Sequence, residues 1–412
     1  MRRVVITGFG VVSPVGTGQE AFWDSLSRGS SGIATITHFD ASTFEVQLAA
    51  EVKGMLELPE PVAIVAREDP KVGFAYAACA EALSDAGVTA LDHRVLLHVG
   101  TSLESFDLKK VICEGKADFE AVARKILKGG GPPLQIPLDT ATRLIIEQLG
   151  RPGQALTNCS ACAAGVQAIG HGFQAIRSGQ FETAVAGGFD SMINPLGVGG
   201  FQLLGALTTD NQRGARACRP FDSERRGTVL GEGAAIFVLE TWERARAEGK
   251  EILAEVCGYA STLDAYSLSA PDPEGDGASR TMAAALRDAG LSSLDVAHIN
   301  AHGTGTQLND EVEAKAIRRV FADNWEKIPV SATKSMTGHL IAAAGAIEVG
   351  ACLLPFIRGV LPPNPSLERV GQGCELNHVR EPGTSFDGEY VVTNSFGFGG
   401  QNVSLVLRRY YG

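Results

Sequence analysis

A cysteine between a predicted strand and a predicted helix is the first candidate nucleophile. Cys162 lies in LTNCSACAAGVQAIG, where an apolar strand runs into a helix that begins with small residues. At a helix N-terminus the backbone N–H groups and the helix dipole favour the thiolate, the nucleophilic form of cysteine. A buried core cysteine is the alternative. The C-x-x-C pair with Cys159 resembles a redox motif, but that motif belongs near the start of a small domain, so we interpret Cys159 as a core residue of the strand.

Two histidines follow predicted buried strands in glycine-rich surroundings. His302 lies in INAHGTGTQLND and His339 in PVSATKSMTGHLIAAAGAIE. Both are expected at the carboxyl end of a strand, where sites collect in α/β proteins. With a cysteine, two histidines could hold a thioester oxygen and stabilise a developing enolate. His298 and His302 have an i,i+4 spacing, but they lie on a predicted strand without the Glu of H-E-x-x-H, so no metal site is predicted.

Charged residues accompany the second histidine. Lys334 precedes His339 by five residues, and Glu348 follows it by nine on an Ala-rich predicted helix. A glutamate in so apolar a helix is costly unless it is paired, and Lys334 is the expected partner, with Glu313 as a second. A surface ion pair is the plain alternative for Lys334.

A glycine-rich loop lies near the C-terminus, in NSFGFGGQN (394–402). Its glycines permit positive φ, so Phe398 between them could act as a gate; a plain glycine turn is the alternative. Near the N-terminus, GFGVVS (8–13) almost matches a dinucleotide-binding motif. Ser13 replaces the third glycine there, so nicotinamide binding is rejected.

The elements that must position these residues follow from alternating apolar runs and amphipathic stretches. This pattern predicts an α/β protein whose central sheets are covered on both faces. Predicted strands lie at 4–7, 95–99, 154–158, 183–187, 296–301, 391–394 and 403–407, and predicted helices at 75–86, 163–176, 278–289 and 340–357.

An internal repeat links the two ends of the chain. Residues 81–102 align without gaps to residues 284–305, with nine of 22 positions identical. Each piece reads as a helix, a glycine cap, a buried strand and a Gly-Thr loop, which indicates a duplicated α/β unit. Chance similarity of two common helix–strand units is the alternative. The halves would meet near residue 250, with the charged segment 241–250 as the connection.

Composition excludes several classes of protein. With 412 residues, 36 Lys plus Arg and 47 Asp plus Glu, the chain has a net charge of −11. Such an acidic chain is a poor binder of nucleic acid or anionic membranes, and its 44% apolar content excludes bulk disorder. No transmembrane helix or signal peptide is predicted, so we expect a cytoplasmic protein whose eight cysteines are mostly buried thiols.

Taken together, these motifs resemble those of the β-ketoacyl-acyl-carrier-protein synthases of the elongating, condensing type. The similarity covers the whole chain, and further matching pieces are VVITGFGVVSPVG, AGGFDSMINPLGVGGFQLLGALTT, RPFDSERRGTVLGEGAA and LDAYSLSAPDPEG. It implies the thiolase fold, in which two βαβαβαββ halves form five layers, α-β-α-β-α. The halves would be 1–250, carrying the cysteine, and 251–412, carrying the histidines.

The resemblance also implies roles for individual residues. Cys162 would be acylated, and the two histidines would stabilise the enolate formed when a malonyl carrier loses CO2. Lys334 would order the charges of the site. The reaction would need no redox cofactor and no metal. The N–H groups of Cys162 and Phe398 would form an oxyanion hole. Supporting roles fall to Glu348, Glu313 and the gate Phe398, and substrate binding to Thr304, Thr306, Gly399 and Phe201.

The partners expected from the resemblance are an acyl carrier protein and a second, identical or homologous chain. The carrier is expected to be acidic, and this chain is acidic too, so there is no long-range attraction between them. Docking of the carrier must therefore rely on a local basic patch. The candidates, for which a solvated charged surface is the alternative, are Arg67, Lys71, Arg124, Lys125 and Lys128.

Several positions depart from the usual family pattern. Ser160 and Gln401 stand where threonine is usual, Thr228 where phenylalanine is common and Ser267 where histidine is common. The stretch 136–150 also differs from that of housekeeping members. A specialised polyketide or polyene ketosynthase, acting with a non-catalytic sister chain, is therefore an alternative to fatty-acid elongation. A non-catalytic subunit is disfavoured because all the reactive residues are present, and a biosynthetic thiolase because it would use two cysteines.

Overall fold

The computed structural model describes residues 1–106, 112–113, 116–117, 120, 124 and 135–412. Ten main strands form one large mixed sheet. They are β1 (Val4–Ser13), β2 (Val95–Gly100), β3 (Gln154–Asn158), β4 (Thr183–Ser191), β5 (Glu232–Thr241), β6 (Ala254–Leu263), β7 (Val296–Asn300), β8 (Pro329–Ser331), β9 (Tyr390–Gly397) and β10 (Gln401–Arg408).

Five helices matter most for the site, namely α1 (Pro70–Asp85), α2 (Ala164–Arg177), α3 (Asp276–Ala289), α4 (Gln307–Val320) and α5 (Ala344–Arg358). Further α-helices in the described part of the chain are Gln19–Arg28, Glu60–Ala66, Thr140–Leu149, Pro195–Leu203, Trp242–Ala247 and Lys334–Thr337. Short strands occur at Gly16–Thr17, Ile33–Thr35, Leu48–Ala50, Ser105–Phe106, Ile112–Cys113, Lys116–Ala117, Gln135–Ile136 and Asn377–His378.

The strand order of the sheet repeats. It runs β3-β2-β4-β5-β1-β6-β10-β9-β7-β8. Read outward from the β1–β6 junction, each half therefore places its first, fifth, fourth, second and third strand in the same sequence. The directions repeat too, because β2 and β7 are parallel to their neighbours whereas β5 and β10 are antiparallel to theirs. The duplication predicted from the sequence is thus present in the topology.

The repeat extends to a bulge in the first strand of each half. β1 shifts register between Ile6 and Gly8, and β6 shifts between Val256 and Gly258. Each glycine faces a helix at close range: a Cβ at Gly8 would lie 2.2 Å from an α1 carbonyl oxygen, and one at Gly258 would lie 2.3 Å from an α3 carbonyl oxygen. Glycine is therefore required where each helix crosses its strand.

Three hydrophobic clusters follow the helices. One lies between α1 and the first-half strands, and another between α3 and the second-half strands. The largest lies around α2 and α5, which pack against each other. The strands of each half thus have helices on both faces, as the near-continuous apolar runs predict.

The apolar segment Ile341–Arg358, which contains α5, is long and apolar enough to cross a membrane by length and composition alone. It is 89% buried inside the fold, however. Its hydrophobicity is accounted for by its position between protein layers, as in the core helix of a large α/β domain.

Helices α2 and α5 begin where the backbones of neighbouring segments are in direct contact. A Cβ at Gly188 in β4 would lie 2.5 Å from the Ala342 carbonyl oxygen and 2.9 Å from the Gly165 Cα. No side chain fits between the N-terminal turn of α2, β4 and the turn before α5. The separation of the two helix starts is therefore fixed by the backbone.

We expect Gly188→Ala to lower the free energy of unfolding by about 1 to 3 kcal/mol, because the added methyl group overpacks this contact. Urea denaturation would measure the change. Gly200→Ala is the matched control, since a Cβ there meets nothing within 4 Å. It should be neutral or stabilise by up to about 1 kcal/mol. Equal stability of the two variants would contradict the packing argument.

Candidate active site

The nucleophile candidate lies on a sharp turn between β3 and α2. A short 3-10 turn, Ala161–Ala163, joins the strand to the helix, and Cys162 at its centre is buried. Ala161 has φ 48°, an uncommon value for a residue other than glycine. The sequence prediction of a cysteine at a helix N-terminus is correct.

An equivalent turn lies in the second half, before α5. The 3-10 turn Ile341–Ala343 precedes that helix, and Ile341 has φ 46°. The backbone N–H of Ile341 donates to Nδ1 of His339 at 3.1 Å. The Asp190 carboxylate at the end of β4 accepts the N–H of the next residue, Ala342, at 3.0 Å. Sequence reasoning missed Asp190, although a buried aspartate in so apolar a strand required a partner.

The structure brings the three predicted reactive side chains together. Sγ of Cys162 and one ring nitrogen each of His302 and His339 lie within 4.8 Å of one another. The two imidazoles are edge to face, with ring centroids 5.3 Å apart and planes at 83°. His302 lies two residues after the end of β7, and His339 follows the short Lys334–Thr337 helix after β8.

Hydrogen bonds fix the tautomers of both histidines. Nδ1 of His339 accepts the Ile341 N–H, and Nδ1 of His302 lies 3.1 Å from Nζ of Lys334, which can only donate. In the neutral form, each ring then carries its proton on Nε2. Both imidazoles therefore present N–H donors, and protonated Nε2 atoms are not metal ligands although the three side chains are close enough to hold an ion.

A buried ion pair holds Lys334 beside His302. Nζ of Lys334 donates to Glu348 Oε1 and to the His302 carbonyl oxygen, and all three residues are almost fully buried. The pairing with Glu348 was predicted. Glu313 is different: its carboxylate accepts the backbone N–H groups of His302 and Gly303, each at 2.8 Å, and no direct bond to Lys334 is among the described contacts. The prediction of Glu313 as a second partner is therefore corrected, because the α4 carboxylate shapes the loop after β7 instead.

Burial controls the protonation of the site. It raises the pKa of the Cys162 thiol to about 12, opposed by the Lys334 charge and by backbone hydrogen bonds from Phe398 and Cys162. Burial, with the Lys334 charge next, lowers the pKa of both His302 and His339 well below 6.5. The resting site thus holds a neutral thiol and two neutral imidazoles, rather than the thiolate that the helix terminus alone would favour.

The glycine loop closes the site from the C-terminal side. Gly399 and Gly400 have φ 78° and 75°, as the sequence predicted for such a loop. A Cβ at Gly397 would lie 3.1 Å from the Cys162 backbone nitrogen, so the loop lies against the N–H of the nucleophile. The ring of Phe398 faces that of Phe201, with centroids 6.1 Å apart.

A cavity of about 470 Å³ leads from the surface to these residues. It is lined by the cysteine, both histidines and the glycine loop, and by Thr304, Thr306 and Phe201, which the resemblance assigns to substrate binding. Oγ1 of Thr304 and Oγ1 of Thr306 are 2.8 Å apart. The volume of the cavity is within the range of small-molecule sites. The sequence analysis did not single out Arg226, Asp264 or Leu268, which also line the cavity.

Two assignments made from the sequence are wrong. Lys71 was a candidate for a surface docking patch, but it is buried, with Nζ 3.3 Å from Asp69 and bonded to the Leu103 carbonyl oxygen. Cys159 was interpreted as a core residue, but its side chain is exposed and donates to the Ser102 carbonyl oxygen at 2.6 Å. Five of the seven described free cysteines are buried, in line with the general expectation.

The remaining docking candidates divide in two. Arg67 and Arg124 are exposed, and Arg124 forms an i,i+4 ion pair with Glu120. Lys125 and Lys128 lie outside the described residues.

Comparison with known proteins decides the family. The profile "Beta-ketoacyl synthase, N-terminal domain" matches residues 1–245, and "Beta-ketoacyl synthase, C-terminal domain" matches residues 253–368. The chain belongs to the beta-ketoacyl synthase family. A 3-oxoacyl-[acyl-carrier-protein] synthase 2 of Coxiella burnetii is 38% identical to this synthase over 421 residues, covering 100% of this chain and 99% of the relative.

Two solved structures are similar to the synthase over nearly its whole length. The ishigamide ketosynthase/chain length factor has a TM-score of 0.85 at 34% identity, with 100% of both chains covered. A type II polyketide synthase acyl-carrier protein in complex with its ketosynthase gives a TM-score of 0.87 at 29% identity, covering 99% of this chain and 100% of the other. The thiolase-like mixed α/β fold implied by the sequence is confirmed.

We expect Glu348→Gln to lower the free energy of unfolding by about 3 to 5 kcal/mol, because it leaves the Lys334 charge buried without a counter-ion. Chemical denaturation at pH 7.5 would measure the loss. The matched control is the double variant Lys334→Met/Glu348→Leu, which removes both charges and should recover most of the stability. A single variant within about 1 kcal/mol of the wild type would contradict the assigned role of the pair.

We also expect His302 and His339 to remain neutral at pH 6. Because folding lowers both pKa values, protonation favours the unfolded chain, whose histidines titrate near pH 6.5. Long-range ¹H–¹⁵N spectra of labelled protein would report each ring, and the urea-unfolded protein is the control. Both rings should carry the proton on Nε2. A midpoint at or above pH 6.5 for either ring would disprove this description.

Proposed function

We propose that the protein is a 3-oxoacyl-[acyl-carrier-protein] synthase, an acyltransferase that joins an acyl thioester to a malonyl thioester with loss of CO2. The observation that carries this proposal is the convergence of Cys162 Sγ with one ring nitrogen each of His302 and His339 inside 4.8 Å. The hydrogen bonds at both Nδ1 atoms leave Nε2–H as the donor of each neutral ring. A nucleophile for acyl transfer and two donors for an enolate oxygen are what such a condensation requires. The chain needs no redox cofactor for this chemistry.

The first half-reaction acylates the cysteine. Sulfur attacks the carbonyl carbon of the acyl carrier thioester, the carbon–sulfur bond to the carrier breaks, and the thiol proton of Cys162 ends on the departing carrier thiol. The N–H groups of Cys162 and Phe398 stabilise the tetrahedral oxyanion, and the close contact of the glycine loop with the Cys162 amide supports this assignment.

The second half-reaction uses the histidines. A malonyl carrier enters with its thioester oxygen between the two Nε2–H groups. Its carbon–carbon bond breaks, CO2 leaves, and the electron pair forms an enolate that the imidazoles stabilise. The enolate carbon then attacks the acyl group on Cys162, and the carbon–sulfur bond breaks. The released Cys162 thiolate takes up a proton from water and becomes the neutral thiol again. Neutral rings with the proton on Nε2 can fill this role, because each N–H donates a hydrogen bond to the enolate oxygen.

We infer that the large sheet divides into two sheets within five layers, α-β-α-β-α. The packing of α1 and α3 on opposite strand groups supports this, as does the mutual packing of α2 and α5. The halves would be 1–250 and 251–412, connected through the helix Trp242–Ala247. Cys162 then belongs to the first half, and both histidines belong to the second.

We also propose the partners and location of the synthase. An acyl carrier protein would deliver both thioesters, with the pantetheine arm along Thr304 and Thr306, and Arg67 and Arg124 would contribute to docking. A second chain would complete the assembly, in the cytoplasm. The similarity to a ketosynthase that pairs with a chain length factor, and the presence of Thr228 in the cavity wall, favour a specialised polyketide or polyene enzyme as the second candidate.

Mass spectrometry of the cysteine adduct tests the proposal. Cys162→Ala should abolish both the acyl adduct and condensation, yet fold normally, because alanine fits this turn of small residues. Cys159→Ala is the matched control and should keep most of the activity, since its exposed thiol lies outside the cavity lining. Condensation by Cys162→Ala at near the wild-type rate would overturn the assignment. A loss of activity in Cys159→Ala as large as that in Cys162→Ala would revive the C-x-x-C interpretation.

A further inference from the structure

An arginine lines the cavity. Among its described lining residues, Arg226 is the single lysine or arginine, and its side chain is exposed. Within the part of the chain that the structure describes, Arg226 makes no hydrogen bond or ion pair. The neighbouring arginines are already neutralised: Arg213 and Arg219 pair with Glu224 and Glu368. Arg226 is therefore a positive charge left available beside the cavity.

The preceding residue fixes the backbone of Arg226. Arg225 is buried and donates to the carbonyl oxygens of Thr306 and Gln307 and to the Glu311 carboxylate. The next residue, Gly227, donates its N–H to the Gly305 carbonyl oxygen at 2.9 Å. Arg226 thus lies in a segment whose residues on both sides, Arg225 and Gly227, are hydrogen-bonded to the start of α4 and the residues just before it. Its backbone position is set even though its side chain is free.

The charges around the cavity favour an anion near Arg226. The single acidic residue among the described lining residues, Asp264, accepts hydrogen bonds from Asn402 Nδ2 and from the Asp272 N–H. The first turn of α4 also lines the cavity, through Gln307, Leu308 and Asn309, and a helix N-terminus attracts negative charge. Asp310 offsets part of this attraction, but it is buried and already accepts the N–H groups of Phe221, Thr304 and Gly305.

We propose that Arg226 binds the phosphate at the far end of a pantetheine arm whose thioester reaches Cys162. This inference rests on the proposed function and adds a residue that determines specificity. A guanidinium is well suited to a phosphodiester, which it can bind through two parallel hydrogen bonds. A carrier protein and coenzyme A both supply this phosphate, so the recognised chemistry is the phosphopantetheine end and not the protein surface beyond it.

The test compares thioesters with and without the phosphate. Hexanoyl-phosphopantetheine, hexanoyl-coenzyme A and hexanoyl-pantetheine would each be mixed with full-length protein, and the second-order rate of Cys162 acylation followed by mass spectrometry. In Arg226→Gln we expect the rate to fall about 3- to 10-fold for the two phosphate-bearing thioesters. With hexanoyl-pantetheine the change should stay below about 2-fold. Arg226→Lys should retain part of the preference, because it keeps the charge but not the planar fork.

Arg319→Gln is the matched control. Arg319 is exposed on the last turn of α4, about 20 Å along the helix from Thr306. Its substitution by glutamine removes the same charge from the chain as Arg226→Gln does. It should leave all three rates unchanged. Added salt at about 0.5 M should reduce the phosphate preference of the wild type and leave that of Arg226→Gln unaltered.

Four outcomes decide the matter. A selective loss with both phosphate-bearing thioesters supports the proposal. A loss with the coenzyme A thioester alone would mean that Arg226 contacts the phosphates that coenzyme A carries beyond phosphopantetheine. That result overturns the proposal. Equal changes with all three thioesters, or none, overturn it while leaving the proposed function intact. If the wild type acylates Cys162 with none of them, and with no acyl carrier thioester, the proposed function fails and this inference fails with it.

Discussion

The ion pair between Lys334 and Glu348 is the interaction on which the site depends. It places a full positive charge in the protein interior, next to Nδ1 of His302, and holds it there through a carboxylate on α5. Burial, with that charge next, holds the pKa of His302 well below 6.5, and the contact of Lys334 Nζ with Nδ1 places the proton of the neutral ring on Nε2. An apolar pair of the same size would pack well, but it would leave the tautomer of His302 unspecified. The pair therefore determines which atom of the ring is available for chemistry.

The duplicated topology explains how distant parts of the chain meet. Each half starts a buried helix from a 3-10 turn, at Ala161–Ala163 after β3 and at Ile341–Ala343 after the Lys334–Thr337 helix. One turn presents the nucleophile, whereas the other uses its first N–H to orient His339. The same backbone device thus has two uses, and only the side chains around it distinguish them. The junction of β1 with β6 keeps both turns on one common framework.

Much of this arrangement was predictable from local sequence. Cys162, His302 and His339 follow strands in glycine-rich turns, and both the period of the helices and the repeat are visible in the residues themselves. The partner of Glu313 was not, because a carboxylate that binds backbone N–H groups leaves no complementary residue to find. Lys71 was misplaced because a lysine near a helix start usually faces solvent, whereas here tertiary contacts bury it. Strands β5 and β6 were not predicted, since a continuous apolar run such as AAIFVL in β5 suits a buried helix equally well.

The contact of Gly165, Gly188 and the Ala342 carbonyl oxygen has a consequence for how such an enzyme can diversify. Because peptide groups touch directly there, the separation of the starts of α2 and α5, near Cys162 and His339, does not depend on which side chains fill the surrounding core. Substitutions that reshape the substrate cavity, such as those at Thr228, can therefore accumulate without changing that separation. New acyl specificities can arise from the cavity walls while the bond-forming geometry is inherited unchanged.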